Sequence, residues 1–184
     1  MSGYTVRTLM EADWPSVRTI YQQGIESNIA TFQNDCPAWR EWDAAHIKAC
    51  RLVIGENETV LGWAALTAVS SRCVYAGVAE VSVYIDAGAQ GKGVGTRLLT
   101  ELVHASESAG FWTLQSGILR DNVASIRLHE KCGFRMVGYR ERIGQDRFGA
   151  WRDTVLMERR SPLARYGQDR SAAQAERDDP KEGT

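Results

Sequence analysis

Apolar and polar residues alternate over Tyr4–Thr8, which predicts a first strand. Asp13-Trp14-Pro15 then opens a helix, with proline tolerated in the first turn. Val17, Ile20, Tyr21 and Ile25 give that helix an apolar stripe at helical spacing. After a loop, Pro37 introduces a second predicted helix over Trp39–Ala49. Leu52–Gly55 and Val60–Ala68 read as strands joined by a turn at Glu56-Asn57-Glu58. Val78–Ile85 alternates well: Val78, Glu80, Ser82 and Tyr84 share one face, Ala79, Val81, Val83 and Ile85 the other. Gly93–Ala109 reads as a helix burying Val94, Leu98, Leu99, Leu102 and Val103, with Gly110 as its stop. A strand over Trp112–Ile118, a short helix over Ser125–Lys131, and two closing strands, Arg135–Arg142 and Trp151–Met157, complete the pattern. This order predicts an α/β chain of α+β type with a mixed sheet, because no regular βαβ repeat appears.

Composition adds boundaries to this picture. The chain has 184 residues, 43% of them hydrophobic and 24% charged, which suits one soluble globular domain. From Ser161 onward the only bulky apolar residues are Leu163 and Tyr166, too few to offset the entropy of ordering the segment. The expected division is therefore a domain over residues 1–160 and a polar, mobile tail over residues 161–184, with a weak helix at Ser171–Arg177. The formal net charge of −1 argues against a nucleic-acid partner. No apolar run has the length of a membrane span, and Met1–Arg7 lacks a signal-peptide core. Cys36, Cys50, Cys73 and Cys132 are scattered without a CxxC pair, and His46, His104 and His129 lack ligand spacing. The expectation is reduced thiols, no metal and a cytoplasmic location.

The chemistry concentrates where the strand ending at Val83-Tyr84-Ile85 runs into Gln90-Gly91-Lys92-Gly93-Val94-Gly95-Thr96 and a helix. Free N–H groups at a helix N-terminus attract anions, glycines let phosphate oxygens approach, and Lys92 adds charge. The turn therefore fits a phosphate-bearing ligand. It is neither GxxxxGK[ST] nor GxGxxG, so neither a nucleotide triphosphatase nor a dinucleotide site is expected.

Gln90-x-x-Gly93-x-Gly95 after a strand resembles the acetyl-CoA motif of the GNAT N-acetyltransferase superfamily. Asn122-x-x-Ser125-x-x-Leu128-His129-x-Lys131-x-Gly133-Phe134 resembles its later motif, and the likeness spans residues 4–158. The resemblance implies a twisted, mostly antiparallel sheet splayed near Ile85, with acetyl-CoA wedged into the gap. It implies that Val83, Tyr84 and Ile85 offer backbone groups to the acetyl-pantetheine arm. Gln90, Gly91, Lys92, Gly93, Val94, Gly95 and Thr96 would form the pyrophosphate cradle, and Asn122 with Ser125 the pantetheine contact. His129 stands where many members carry a tyrosine that protonates the leaving thiolate. It either donates that proton or packs within its helix.

Three further stretches resemble the phosphinothricin and methionine sulfoximine N-acetyltransferases: Asn28-Ile29-Ala30-Thr31-Phe32, Arg72 through Tyr84, and Gly144 through Asp153. That subfamily implies a homodimer and a small amino acid substrate. Arg72 is then the carboxylate or head-group partner, Glu80 the general base, and Phe32 and Tyr75 the pocket walls. Each has a plainer alternative: a solvated strand carboxylate, a loop charge, or core aromatics. Trp63, Trp112 and Trp151 read as core or interface residues, with Phe148 beside Trp151 in the latter. Other amines, and a noncatalytic acyl-CoA sensor, are the competing functions.

Overall fold

The computed structural model describes residues 3–163. Most of the expected tail, including Ser171–Arg177, lies outside the described residues. Ser161 still belongs to the fold: it is 4% exposed and its N–H donates to the Trp112 carbonyl at 2.9 Å.

The chain runs β1 (Thr5–Thr8), α1 (Trp14–Glu26), α2 (Trp39–Ala45), β2 (Leu52–Glu56), β3 (Thr59–Ala68) and β4 (Val78–Ile85). It continues α3 (Val94–Ser108), β5 (Thr113–Leu119), α4 (Val123–Lys131), β6 (Arg135–Gln145) and β7 (Trp151–Arg160). Short 3-10 turns precede α1, β4 and α3. The seven strands form one sheet in the order β1-β2-β3-β4-β5-β7-β6. Only the β4–β5 pair is parallel, so the sheet is mixed and mostly antiparallel, as expected.

Most elements lie within a few residues of their predicted places. The second helix is shorter than expected, and the cause is Arg51. Its buried guanidinium takes the carbonyls of Asp43, His46 and Ile47, so the backbone turns extended at His46 instead of continuing the helix. The strand from Arg135 runs on to Gln145, across a register shift between Arg140 and Gly144.

Alternation sends each strand's two faces to separate cores. Ala64 and Leu66 of β3, with Ala79 and Val81 of β4, pack under Val94, Leu98, Leu99 and Leu102 of α3. Trp63 and Ala65 face the opposite way, toward Val17, Ile20, Tyr21 and Ile25 of α1 and Trp42 of α2. Tyr84 joins this second core, stacked on Trp63 at 4.8 Å and packed on Tyr21 at the same separation. Helices thus cover both sheet faces, and β4 lies between them.

Candidate functional site

The sheet opens along β4. Val78, Ala79 and Glu80 pair with Thr113, Leu114 and Gln115 of β5, and the ladder stops there. On its other edge β4 stays paired with β3 up to Ile85. The Asp86 N–H donates to the Leu61 carbonyl at 2.9 Å. Backbone groups alternate sides along an antiparallel strand, so Tyr84 and Ser82 also bond toward β3. The amides of Val81, Val83 and Ile85 point the other way; the register pairs Val81 with β5 at Gln115, so Val83 and Ile85 face the opening beyond the last β4–β5 bridge. Of the three residues expected to offer backbone groups here, Val83 and Ile85 present theirs to the gap. The Tyr84 amide faces β3.

Glu80 sits at the vertex of this opening. Its Oε2 accepts a hydrogen bond from Gln115 Nε2 at 3.2 Å. Its other oxygen lies over β5 at Gly117, where an added Cβ would come within 3.8 Å. The side chain is half-buried and lies on the α1 side of the sheet, together with Tyr84. Gln115 carries no local sequence signal; only the strand register brings it to Glu80.

The upper wall of the opening is the glycine turn. Gly91 and Gly93 have φ of +74° and +80°, which bulky residues rarely adopt, and a Cβ at either would meet nothing within 4 Å. The turn is therefore open above the first amides of α3. Gly95 serves packing: a Cβ there would come within 3.2 Å of Leu128 and 3.4 Å of Ile85. Gln90 and Lys92 are exposed, Val94 is fully buried, and Thr96 is half-buried. Gln23 of α1 fixes the entry to this turn. It donates to Asp86 Oδ2 at 2.9 Å and accepts the Ala87 N–H at 3.0 Å. Asn122 caps α4 by accepting the Ser125 N–H at 3.1 Å.

His129 takes the packed alternative. Its ring is 1% exposed and meets Phe134 edge-on at 5.0 Å. Nδ1 donates to the Ser125 carbonyl at 2.8 Å, while the buried Nε2 has no partner. Burial pushes the imidazole below its ordinary range, so it is neutral at pH 7. Its Nδ1–H is given to the helix backbone.

The remaining expected residues lie on two loops, Phe32 between α1 and α2, and Arg72 and Tyr75 between β3 and β4. The Phe32 ring lies against Gly144 of β6, where a Cβ would approach to 3.3 Å. Arg72 and Tyr75 pair with each other ahead of β4, the guanidinium 5.7 Å from the ring centre, and both are exposed. No hydrogen bond or ion pair joins Arg72 to Glu80 among the described residues. The Thr31 side chain lies beside the hydroxyls of Tyr21 and Tyr84, which brings the loop before Phe32 to the floor of the second core. Burial drives the Tyr84 hydroxyl well above the ordinary range for tyrosine. Trp63 is core, whereas Phe148 and Trp151 are exposed near the β6–β7 turn and Trp112 is partly exposed. Clefts beside Trp14, Arg18 and Trp39 (about 340 Å³) and along Arg18, Gln22 and Glu26 lie on α1 and contain none of the expected site residues. Among the described residues no His, Cys, Asp and Glu side chains cluster as a metal site, and no helix is long and apolar enough to cross a membrane.

The residues thus form an opened sheet edge with a carboxylate at its vertex and a helix N-terminus at its rim. Comparison with known proteins places the chain in a family. The chain matches the acetyltransferase (GNAT) family profile over residues 7–134. It is 35% identical over 162 residues to the phosphinothricin N-acetyltransferase of Alcaligenes faecalis, covering 84% of this chain and 81% of that one. It is 31% identical over 160 residues to an L-methionine sulfoximine/L-methionine sulfone acetyltransferase of Salmonella typhimurium, covering 84% and 92%. Among solved structures, a GNAT superfamily phosphinothricin acetyltransferase from Sinorhizobium meliloti, crystallised with acetyl-CoA, superposes with a TM-score of 0.78 at 30% identity. That superposition covers 86% of this chain and 88% of that one.

Proposed function

Because the chain belongs to the acetyltransferase (GNAT) family, we propose that it acetylates the α-amino group of a small amino acid derivative such as phosphinothricin, methionine sulfoximine or methionine sulfone, by direct transfer in a ternary complex. The observation that carries this reading is the end of the β4–β5 ladder at Glu80 and Gln115. It leaves two backbone amides and one carboxylate facing the same opening. The names of the relatives, and the acetyl-CoA held by the Sinorhizobium protein, support the donor and the substrate class.

The residues fit the proposed donor. Open space above Gly91 and Gly93 and the free first amides of α3 suit a pyrophosphate, and exposed Lys92 adds charge. The gap-facing amides of Val83 and Ile85 suit an extended arm, with the Asn122–Ser125 cap beside the Gly95–Leu128 contact. When bound, acetyl-CoA supplies a thioester as the acetyl source. The Val83 or Ile85 N–H then polarises the acetyl carbonyl, as an oxyanion donor does. Glu80 accepts the ammonium proton of the substrate, directly or through water, and Gln115 holds its second oxygen. Arg72 pairs with the substrate carboxylate or acidic head, and Phe32 and Tyr75 wall the pocket. The departing thiolate takes its proton from water, from His129 or from another group, and the burial of His129 and its bond to Ser125 favour water. The same reading includes a homodimer, which the exposed Phe148 and Trp151 support.

An amine panel with acetyl-CoA and thiol detection tests this function. Methionine sulfoximine, methionine sulfone or phosphinothricin should release CoA well above spermidine or a peptide. Release only with spermidine or the peptide moves the enzyme to another amine class. Acetyl-CoA binding without release on any amine favours a sensor and contradicts the proposal.

A further inference from the structure

One guanidinium joins three loops around the mouth of the opening. Arg152 Nη1 donates to Asp146 Oδ2 at 2.9 Å and to the Asn28 carbonyl at 3.1 Å. Its Nη2 donates to Asp121 Oδ2 at 2.9 Å, next to the Asn122 cap. Asp146 also accepts Asn28 Nδ2 at 3.0 Å and the N–H groups of Phe148 and Ala150 at 2.9 and 3.0 Å. The Asp146 side chain is 6% exposed and that of Arg152 is 15%. Asn28 is held by both side chain and backbone, in a left-handed conformation with φ of +55°.

Two features make this more than a surface ion pair. The β6–β7 register shifts between Arg140 and Gly144; beyond it the strands pair at Gly144–Arg152 and Gln145–Trp151, and the Asp146 N–H closes the tip on the Ala150 carbonyl at 2.9 Å. Its large side chains, Phe148 and Trp151, are not buried within the single chain, so inside one protomer polar bonds rather than apolar burial fix its position. Phe32, four residues after Asn28, rests on Gly144 of that same hairpin.

We propose that Arg152 and Asp146 are positioning residues: they lock the Asn28–Phe32 loop onto the β6–β7 hairpin and so set the affinity for the amine without touching it. The proposal rests on the reading that Phe32 lines the amine pocket. Its structural half, the lock itself, is measurable without any substrate.

The test compares the full-length protein with Arg152→Met and Arg152→Lys. Amide exchange at residues 28–33 should quicken about tenfold in the methionine variant. The KM for the amine should rise about tenfold, with kcat and acetyl-CoA affinity held within about twofold. The lysine variant keeps the charge but not the fork, and should recover part of both effects. A merely structural role would lower kcat through loss of folded enzyme and leave the amine KM in place. That result overturns the proposal, as does unchanged exchange at residues 28–33. If the methionine variant does not fold, Asp146→Asn gives the same comparison. Wild-type inactivity toward every amine would instead defeat the acetyl-transfer reading, and the lock would then stand or fall on the exchange data alone.

Discussion

The two walls of the opening are built differently. The wall proposed for the donor comes mainly from one contiguous stretch, from Val83 to Thr96, with the Asn122–Ser125 cap added, and works through backbone: gap-facing amides, positive-φ glycines and a helix N-terminus. The wall proposed for the amine comes from side chains on two separate loops, at Phe32 and at Arg72–Tyr75, with the β6–β7 hairpin bracing the first from behind. A backbone site depends on chain path and survives most side-chain changes. A side-chain site assembled from distant loops can be retuned residue by residue. The same fold can therefore keep one donor while the acceptor changes.

That contrast can be broken in order of effect. Glu80→Gln lies at the junction of the two walls and should lower kcat by about 100-fold or more. Acetyl-CoA affinity, measured by calorimetry, should stay within about twofold, because the carboxylate contributes nothing to the backbone wall. Equal turnover by the variant across the neutral and alkaline range would remove Glu80 as the base. Gly93→Val attacks the donor wall alone. A β-branched residue at positive φ costs about 1–2 kcal/mol, so acetyl-CoA binding should weaken about tenfold with the amine KM unmoved. Arg72→Lys attacks the acceptor wall alone. Loss of the planar fork should raise the amine KM several-fold and leave acetyl-CoA affinity as it was. Unchanged KM would assign Arg72 to the surface.

The smallest effect concerns pH. Hydrogen bonds from Asn28 and Arg152, with the amides of Ala150 and Phe148, hold Asp146 down to about 2, against an ordinary 3.8. A carboxyl depressed in the folded state contributes stability that is complete above its ordinary value and is lost as pH falls toward 2. Denaturant midpoints of wild type and Asp146→Asn should therefore differ most above pH 4 and converge in acid. A constant difference at every pH would detach Asp146 from this network.

The donor wall was legible in the sequence because its information is local. Alternation along Val78–Ile85 gave the faces of β4 correctly, and the spacing of Gly91, Gly93 and Gly95 marked the turn. The spacing did not reveal that Gly95 serves packing against Leu128 and Ile85. The acceptor wall was legible only as scattered resemblances. Gln115 reaches Glu80 through strand register, and Arg152 reaches Asn28 across the sheet edge. Neither leaves a trace in local periodicity. The insertion of β7 between β5 and β6 is equally nonlocal. His129 illustrates a different limit: its position in a motif left chemistry and packing both open, and its burial and its bond to Ser125 are visible only in the fold.

The opened edge of β4 is the central claim, and residue-resolved amide exchange with and without saturating acetyl-CoA tests it most directly. The Val83 and Ile85 amides should exchange quickly in the free protein and become protected on binding. The Tyr84 amide, already bonded to β3, should change little. Equal protection of Val83 and Ile85 in the free and bound protein would contradict the account.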